Sequence, residues 1–345
     1  MGGNALAGKC FTRRFDRDEY MQLETLVVST LRKNFPNARV EPIPAYSSKE
    51  TFGDMDVLVY TPTPVDWSKE ALRLFSTKGM VKNGNVISFE CNEIQVDLIQ
   101  CTKEELGSSF IYFSYNDLGN FMGRVAHKMG FKYGHLGLVM TFRSGTHQFD
   151  EVVVSAEMGK VFEFLGYDFR RFHQGFDTLE DVFKFASSTP YFHKDIFSLH
   201  NRNHKAATRD AKRKSYNSFL KWLETADGLP EYKWQTFEER GGTKSNQEFL
   251  ERAFIFFPEF EAKYNAAMQR LANHEKCKSM FNGNMVSEWT GLSGPQLGKM
   301  MVAIYSEMSK THRTPCDFVL DRGTEVCKLL VVDLYSKQGN ADANV

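Results

Sequence analysis

The sequence has no paired cysteines. Its six, Cys10, Cys91, Cys101, Cys277, Cys316 and Cys327, are scattered without a CxxC, which excludes a zinc ribbon and a dithiol redox motif. His274 and Cys277 share an HxxC spacing with no second pair to complete a metal set, so they read as an ordinary helical surface pair. Long apolar runs are missing too. Nothing approaches the ~20 residues that cross a bilayer, and MGGNALAGKCFTRRFDRDEY at the N-terminus carries no apolar segment of the signal-peptide kind. No membrane role, a cytoplasmic location and reduced thiols are the expectations. Nor is there an excess of charge: Lys+Arg and Asp+Glu both number 43, so a nucleic-acid partner would have to be held by a local basic patch. Internal repeats and low-complexity segments are absent. What remains is ordinary: 345 residues, enough for two domains, with 42% apolar and 25% charged residues. Most of the 30 phenylalanines should be core.

Along the chain, Tyr20, Leu23, Leu26, Val27 and Leu31 predict one apolar face of a helix over 16–34. Residues 39–46, interrupted by Pro42 and Pro44, predict an edge strand. DMDVLVY is a short strand and 65–76 an amphipathic helix. VISFE and IQVDLIQ are strands joined by a turn at Cys91–Asn92. A helix over 116–129, a strand over 134–142 and a short helix over 157–165 complete a mixed α/β pattern. Beyond about 176 the chain reads as helices, at 179–187, 205–224, 247–257, 259–274 and 295–310, with a polar, Gly-rich separator at 238–246. KLLVVDLY looks like a late strand. The expectation is an α/β (α+β) fold with a mixed β-sheet, followed by an all-helical C-terminal domain. Its divisions are an N-terminal arm and helix (1–36), an α/β region (37–175), a helical domain (176–335) and a frayed tail (336–345).

The chemistry centres on Gly53-Asp54-Met55-Asp56. In a strand, i and i+2 share a face, so Asp54 and Asp56 project together while Met55 and Val57 enter the core. Paired carboxylates repel unless cations neutralise them. Oxygen-rich sites of this sort suit Mg²⁺, particularly where substrate phosphates supply further ligands. Asp97, in IQVDLIQ, is a third acid within an apolar strand. Laid beside the first strand it would complete a two-metal site, one ion activating a hydroxyl and the other clamping a triphosphate. The plain alternative is a solvated strand end with a surface Asp97.

The surroundings of these acids resemble a known family. Val40-Glu41, Tyr46 and KETFGDMDVLVY, then QVDLIQCTKEELGSSFIYFSYNDLGNFMGRVAHKMGF and EMGKVFEFLGYDF, follow in order the palm motifs of family X DNA polymerases, the DNA polymerase beta type. The likeness covers about 20–175, roughly half the chain. It implies a nucleotidyltransferase palm in which Asp54, Asp56 and Asp97 hold two Mg²⁺ ions (Mn²⁺ being the alternative), with Asp97 nearest the primer hydroxyl. It further implies that Gly53 lets the backbone approach the triphosphate, that Tyr112 and Phe113 lie against the sugar, that Asp117 packs on the incoming base, that Asn120 contacts the base edge and that Arg124 lies near a templating strand. Two motifs depart from the family. The GS pair that grips the triphosphate falls on Pro44-Ala45, leaving Ser47 and Ser48 as hydroxyl donors, and TGS becomes Ser114-Tyr115-Asn116. The lyase and helix-hairpin-helix segments of the repair polymerases have no counterpart, so a base-excision role is not implied.

In NRNHKAATRDAKRKSYNSFLKW, seven cations face one acid, Asp210. Arg202, Lys205, Arg209 and Arg213, with Lys212 beside them, have helical spacing and predict a phosphate-facing stripe. MVSEWTGLSGPQLGKMMVAIYSEM faintly resembles, at Gly294, Pro295 and Gly298, the tails of CCA-adding enzymes and bacterial poly(A) polymerases. The expected activity is metal-dependent transfer of nucleotides from (d)NTP to a DNA or RNA 3′ hydroxyl, releasing pyrophosphate. The alternatives are tailing of tRNA or another RNA, an inactive nucleic-acid-binding protein, and nucleotidylation of a small molecule or protein. Oligomeric state is open.

Overall fold

In the structure, a computed structural model describing residues 5–236, 238–239 and 246–342, the chain enters its first helix through a reciprocal cap. Strand β1 (Phe15–Asp16) ends at Asp16, whose carboxylate accepts the Glu19 N–H while Glu19 accepts the Asp16 N–H. Two orphan donors are thereby satisfied, and α1 (Arg17–Asn34) follows. Tyr20, Leu23, Val27 and Leu31 are buried as the spacing predicts. Leu26 is 46% exposed, because it lies about 120° round the helix from the line through Tyr20, Val27 and Leu31.

A five-stranded sheet carries the acids. β2 (Arg39–Pro42) forms one edge, ending where Pro42 and Pro44 withdraw backbone donors. Beyond β3 (Thr51–Phe52), which pairs with β1, comes β4 (Asp54–Tyr60). Then follow α2 (Trp67–Phe75), capped by Asp66, and β5 (Met80–Asn83), β6 (Val86–Cys91) and β7 (Ile94–Gln100). The strand order is β2-β4-β7-β6-β5. β6 and β7 form a hairpin whose turn residues, Asn92 (φ 50°) and Glu93 (φ 69°), are both left-handed, the geometry that matches strand twist. That tight return brings β7 alongside β4 in parallel, the α2–β5–β6 excursion serving as the crossover.

Alternation then sorts the side chains. Met55, Val57 and Val59 enter one core with Val96 and Leu98. On the opposite face Leu58 and Ile99 meet Leu106, Phe110 and Phe113 of α3 (Leu106–Phe113). Asp54, Asp56 and Asp97 share that second face, ahead of the apolar residues.

Helix α4 (Leu118–Lys128) packs hard on α3. A Cβ on Gly119 would stand 2.2 Å from the Tyr112 carbonyl oxygen, whereas one on Gly123 would meet nothing closer than 3.7 Å. Opposite signs are therefore expected for two chemically identical changes. Gly119→Ala should cost about 1–3 kcal/mol by overpacking. Gly123→Ala should gain up to about 1 kcal/mol from helix propensity. Urea midpoints of the two variants check this, and equal effects would contradict the close approach at Gly119.

The strand expected over 134–142 is instead parts of two: β8 (Lys132–Gly134) and β9 (Gly137–Ser144) pair around a tight turn, and β10 (His147–Ser155) lies beyond β9. The helices that follow are α5 (Met158–Leu165), α6 (Phe169–His173), α7 (Leu179–Ala186), α8 (His204–Ala211), α9 (Lys214–Leu223) and α10 (Gln247–Phe256). The single helix expected over 205–224 is broken at Lys212–Arg213, where α8 ends and α9 begins. The separator at 238–246 falls largely outside the described residues.

The chain forms two compact units, 1–140 with 153–260, and 141–152 with 261–345. The change in character near 176 falls within the first. The second contains most of α11 (Pro258–Met280), with α12 (Gly283–Thr290), α13 (Gly294–Met308) and α14 (Pro315–Asp342), the last kinked at Gly323. KLLVVDLY is thus helix. Val331 is buried with Leu330 and Leu334 packed beside it, while Leu329, Val332 and Tyr335 face outward. That division fits a helix period, and a short apolar run alone does not distinguish it from a strand. Of the expected tail, helix continues to Asp342 and 343–345 lie outside the described residues. Among the described residues no helix is long and apolar enough to cross a membrane.

Candidate metal centre and its cleft

Register makes the centre. Asp56 on β4 lies directly opposite Asp97 on β7, and Asp54 opposite Gln95. One carboxylate oxygen from each of Asp54, Asp56 and Asp97 falls within 4.8 Å of the others. Asp97 and Gln95 are buried. Burial, reinforced by the Asp54 charge, pushes the Asp56 carboxyl up to about 7. Burial also raises Asp97, although hydrogen bonds from Ser88 and Gln95 pull the other way. The Asp56 Oδ1 atom is buried with no hydrogen-bond partner among the described residues. An ionised oxygen in that position is costly unless a cation meets it. Three converging hard oxygens fit a divalent ion that prefers oxygen ligands.

Asp54 and Asp56, but not the buried Asp97, line a cleft of about 1070 Å³. Lys49 lines it beside them, and burial lowers the pKa of its ammonium against the opposing pull of Asp54 and Asp56. Arg14 lies across Gly53, where an added Cβ would stand 2.8 Å from its Nη1, and donates to the Thr51 carbonyl at 2.8 Å. The far wall combines Tyr112, Phe113, Asn116, Asp117 and Asn120 with Lys212, Arg213, Lys214 and Ser215. Asp117 accepts from both Arg213 and Ser215. Asn120 Oδ1 accepts from Arg209 at 3.4 Å, while its Nδ2 is buried without a partner among the described residues. Tyr115 (φ 58°) and Asn116 (φ 63°) are consecutive left-handed residues with side chains. Such backbone is strained, and here the Tyr115 N–H holds it by donating to the Pro44 carbonyl at 2.9 Å.

The structure thus gathers Asp54, Asp56 and Asp97, and around their cleft Ser48, Gly53, Tyr112, Phe113, Asp117, Asn120, Lys212 and Arg213. Six expected residues are not among those lining it: the buried Asp97, and Ser47, Arg124, Arg202, Lys205 and Arg209. Ser47 gives its N–H and its hydroxyl to the Phe176 carbonyl. Arg124 is buried, its guanidinium donating to the Ile196 carbonyl at 2.8 Å, and burial beside Arg202 lowers its pKa to about 10. Arg202 pairs with Asp210 beneath the Tyr216 ring, its side chain 4% exposed. Lys205 is exposed on α8 but does not line the cleft. Arg209 pairs with Asp210 and contacts Asn120. A stripe at 202, 205, 209 and 213 requires an unbroken helix, and the break at Lys212–Arg213 removes it. The spacing of the sequence does not single out Lys49, Arg14, Lys214 or Gln95. Only Gln95 carries a signal there, as the i−2 neighbour of Asp97 on the same strand face.

No protein-family model matches the chain, and no curated protein matches it.

Proposed function

We propose that the chain is a metal-dependent nucleotidyltransferase of the DNA polymerase beta type, adding nucleotides from (d)NTP to a nucleic-acid 3′ hydroxyl. The observation that carries this reading is the parallel register of Asp56 and Asp97, which joins a buried third acid to the two, Asp54 and Asp56, that line a cleft whose other walls bear cations. Asp54, Asp56 and Asp97 would hold the divalent ions, Mg²⁺ or Mn²⁺. When bound, these supply Lewis-acid activation of the hydroxyl and neutralise charge on the triphosphate. The 3′ oxygen attacks the α-phosphorus, the α–β bridging bond breaks, and pyrophosphate leaves. Asp97 takes the hydroxyl proton. Lys49 and Arg14, near the acids, bind triphosphate oxygens. Lys212 and Lys214 bind backbone phosphates of the acceptor strand. Tyr112 and Phe113 offer ring faces to sugar or base, and the Asn120 Nδ2, without a partner among the described residues, donates to a base acceptor.

A panel of DNA and RNA primers with labelled NTPs or dNTPs and Mg²⁺ tests this. Incorporation on at least one primer, with pyrophosphate release, is expected. RNA-only incorporation selects the RNA-tailing alternative, and labelling of a small molecule or protein alone would replace the proposal. The Asp56 Oδ1 atom, buried without a hydrogen-bond partner among the described residues, favours a bound cation over an inactive binding protein. For the acceptor wall, Lys212→Ala with Lys214→Ala should weaken primer binding. It should also reduce the slope of log K against log[salt] by roughly 1.5, about 0.7–0.9 for each phosphate no longer neutralised. An unchanged slope would return both lysines to the solvated surface.

A further inference from the structure

We infer that the N-terminal segment positions the third acid: Ala5 and Leu6 hold Gln95, and Gln95 holds Asp97 in the orientation that faces Asp54 and Asp56. This rests on reading those three acids as a metal centre. Gln95 Oε1 accepts the Ala5 N–H at 2.9 Å and the Leu6 N–H at 3.3 Å. Gln95 Nε2 lies 2.9 Å from Asp97 Oδ1 and 3.1 Å from Oδ2. The amide has one sensible orientation. Flipped, its NH₂ would confront two backbone N–H groups and its oxygen would confront a carboxylate. The backbone donors therefore decide which end of Gln95 meets Asp97.

The segment is well anchored for this task. The Leu6 side chain is fully buried. Cys10 packs on the backbone at Gly79, where a Cβ would stand 2.6 Å from its Sγ. The Arg13 N–H donates to the Glu93 carbonyl at 2.7 Å, at the β6–β7 turn. Nε2 contacts both carboxylate oxygens, so it occupies the side of Asp97 that a bidentate ligand would need. Gln95 is thus a positioning residue, and Ala5 and Leu6 act through it.

Groups that orient a metal ligand typically change affinity 10–100-fold when removed. The test is Mn²⁺ binding to the full-length chain, read by electron paramagnetic resonance, in wild type, Gln95→Leu, Ala5→Pro and Asp97→Asn. Proline at 5 removes one N–H donor at an exposed position and so spares the sheet. Expected are weakening of about tenfold in Gln95→Leu, a smaller loss of about threefold in Ala5→Pro and the largest loss in Asp97→Asn. Circular dichroism without Mn²⁺ should show the folded spectrum in each. Wild-type affinity in both Gln95→Leu and Ala5→Pro, alongside abolished affinity in Asp97→Asn, would overturn the inference and leave the metal centre standing. No Mn²⁺ binding by the wild type would overturn both.

Discussion

Asp97→Ala is expected to lower the rate of nucleotide incorporation by about 10³-fold or more while the protein stays folded. Several kcal/mol of transition-state charge stabilisation depend on correctly held divalent ions, and each 1.36 kcal/mol is tenfold in rate. On the proposed reading Asp97 would also accept the proton of the attacking hydroxyl. Its neighbours Val96 and Leu98 point into the opposite core, so the sheet does not depend on its carboxylate. Single-turnover incorporation with saturating primer, alongside circular dichroism, reads the two effects apart. A folded variant retaining a tenth or more of the rate would remove Asp97 from the chemistry.

The second large effect concerns pH and metal together. The Asp56 carboxyl sits at about 7 in the fold, against roughly 3.9 in an unfolded chain. Between those values the native state keeps a proton that the unfolded state has released. Metal-free stability must therefore fall as pH rises from about 4 to 7 and stay reduced above that. The raised Asp97 acts in the same direction. A divalent ion competes with the proton, so Mg²⁺ should raise Tm little at pH 5 and substantially at pH 8. The proton-linked contribution is on the order of a few kcal/mol, or roughly 5–10 °C for a unit of this size. Asp56→Asn removes the repulsion without a proton. The metal-free variant should melt higher than wild type at pH 8 and respond weakly to Mg²⁺. Scanning calorimetry at the two pH values decides the matter. A Mg²⁺ effect indifferent to pH, or an Asn variant less stable than wild type at pH 8, would show that the acids do not crowd one another.

The acidic centre is largely legible from the residues because it depends on strand periodicity. Alternation puts Asp54 with Asp56, and an acid amid IQVDLIQ invites a partner strand. The parallel register that sets Asp56 against Asp97 is not legible, since it depends on the β6–β7 hairpin returning past β4. The basic element fails for a related reason. Its charge spacing suits one continuous helix, but the chain turns at Lys212–Arg213, sending Lys212 and Arg213 to the cleft and burying Arg202 against Asp210. Arg124 has a helix-surface spacing, yet tertiary packing gives its guanidinium to the Ile196 carbonyl. KLLVVDLY misleads because eight residues suit either period, and only the neighbours in the second unit decide which face is buried. Gln95 shows the general limit. Its partners, Ala5 and Leu6, are some ninety positions away, a closure that no local pattern announces.

The most direct measurement is the anomalous difference density of a crystal grown with Mn²⁺, collected at the manganese edge. One or two peaks should lie among the carboxylates of Asp54, Asp56 and Asp97, with a ligand bond to Asp56 Oδ1. Manganese bound elsewhere on the chain, with the three carboxylates apart and bare, would contradict a shared divalent centre and the transfer chemistry built on it.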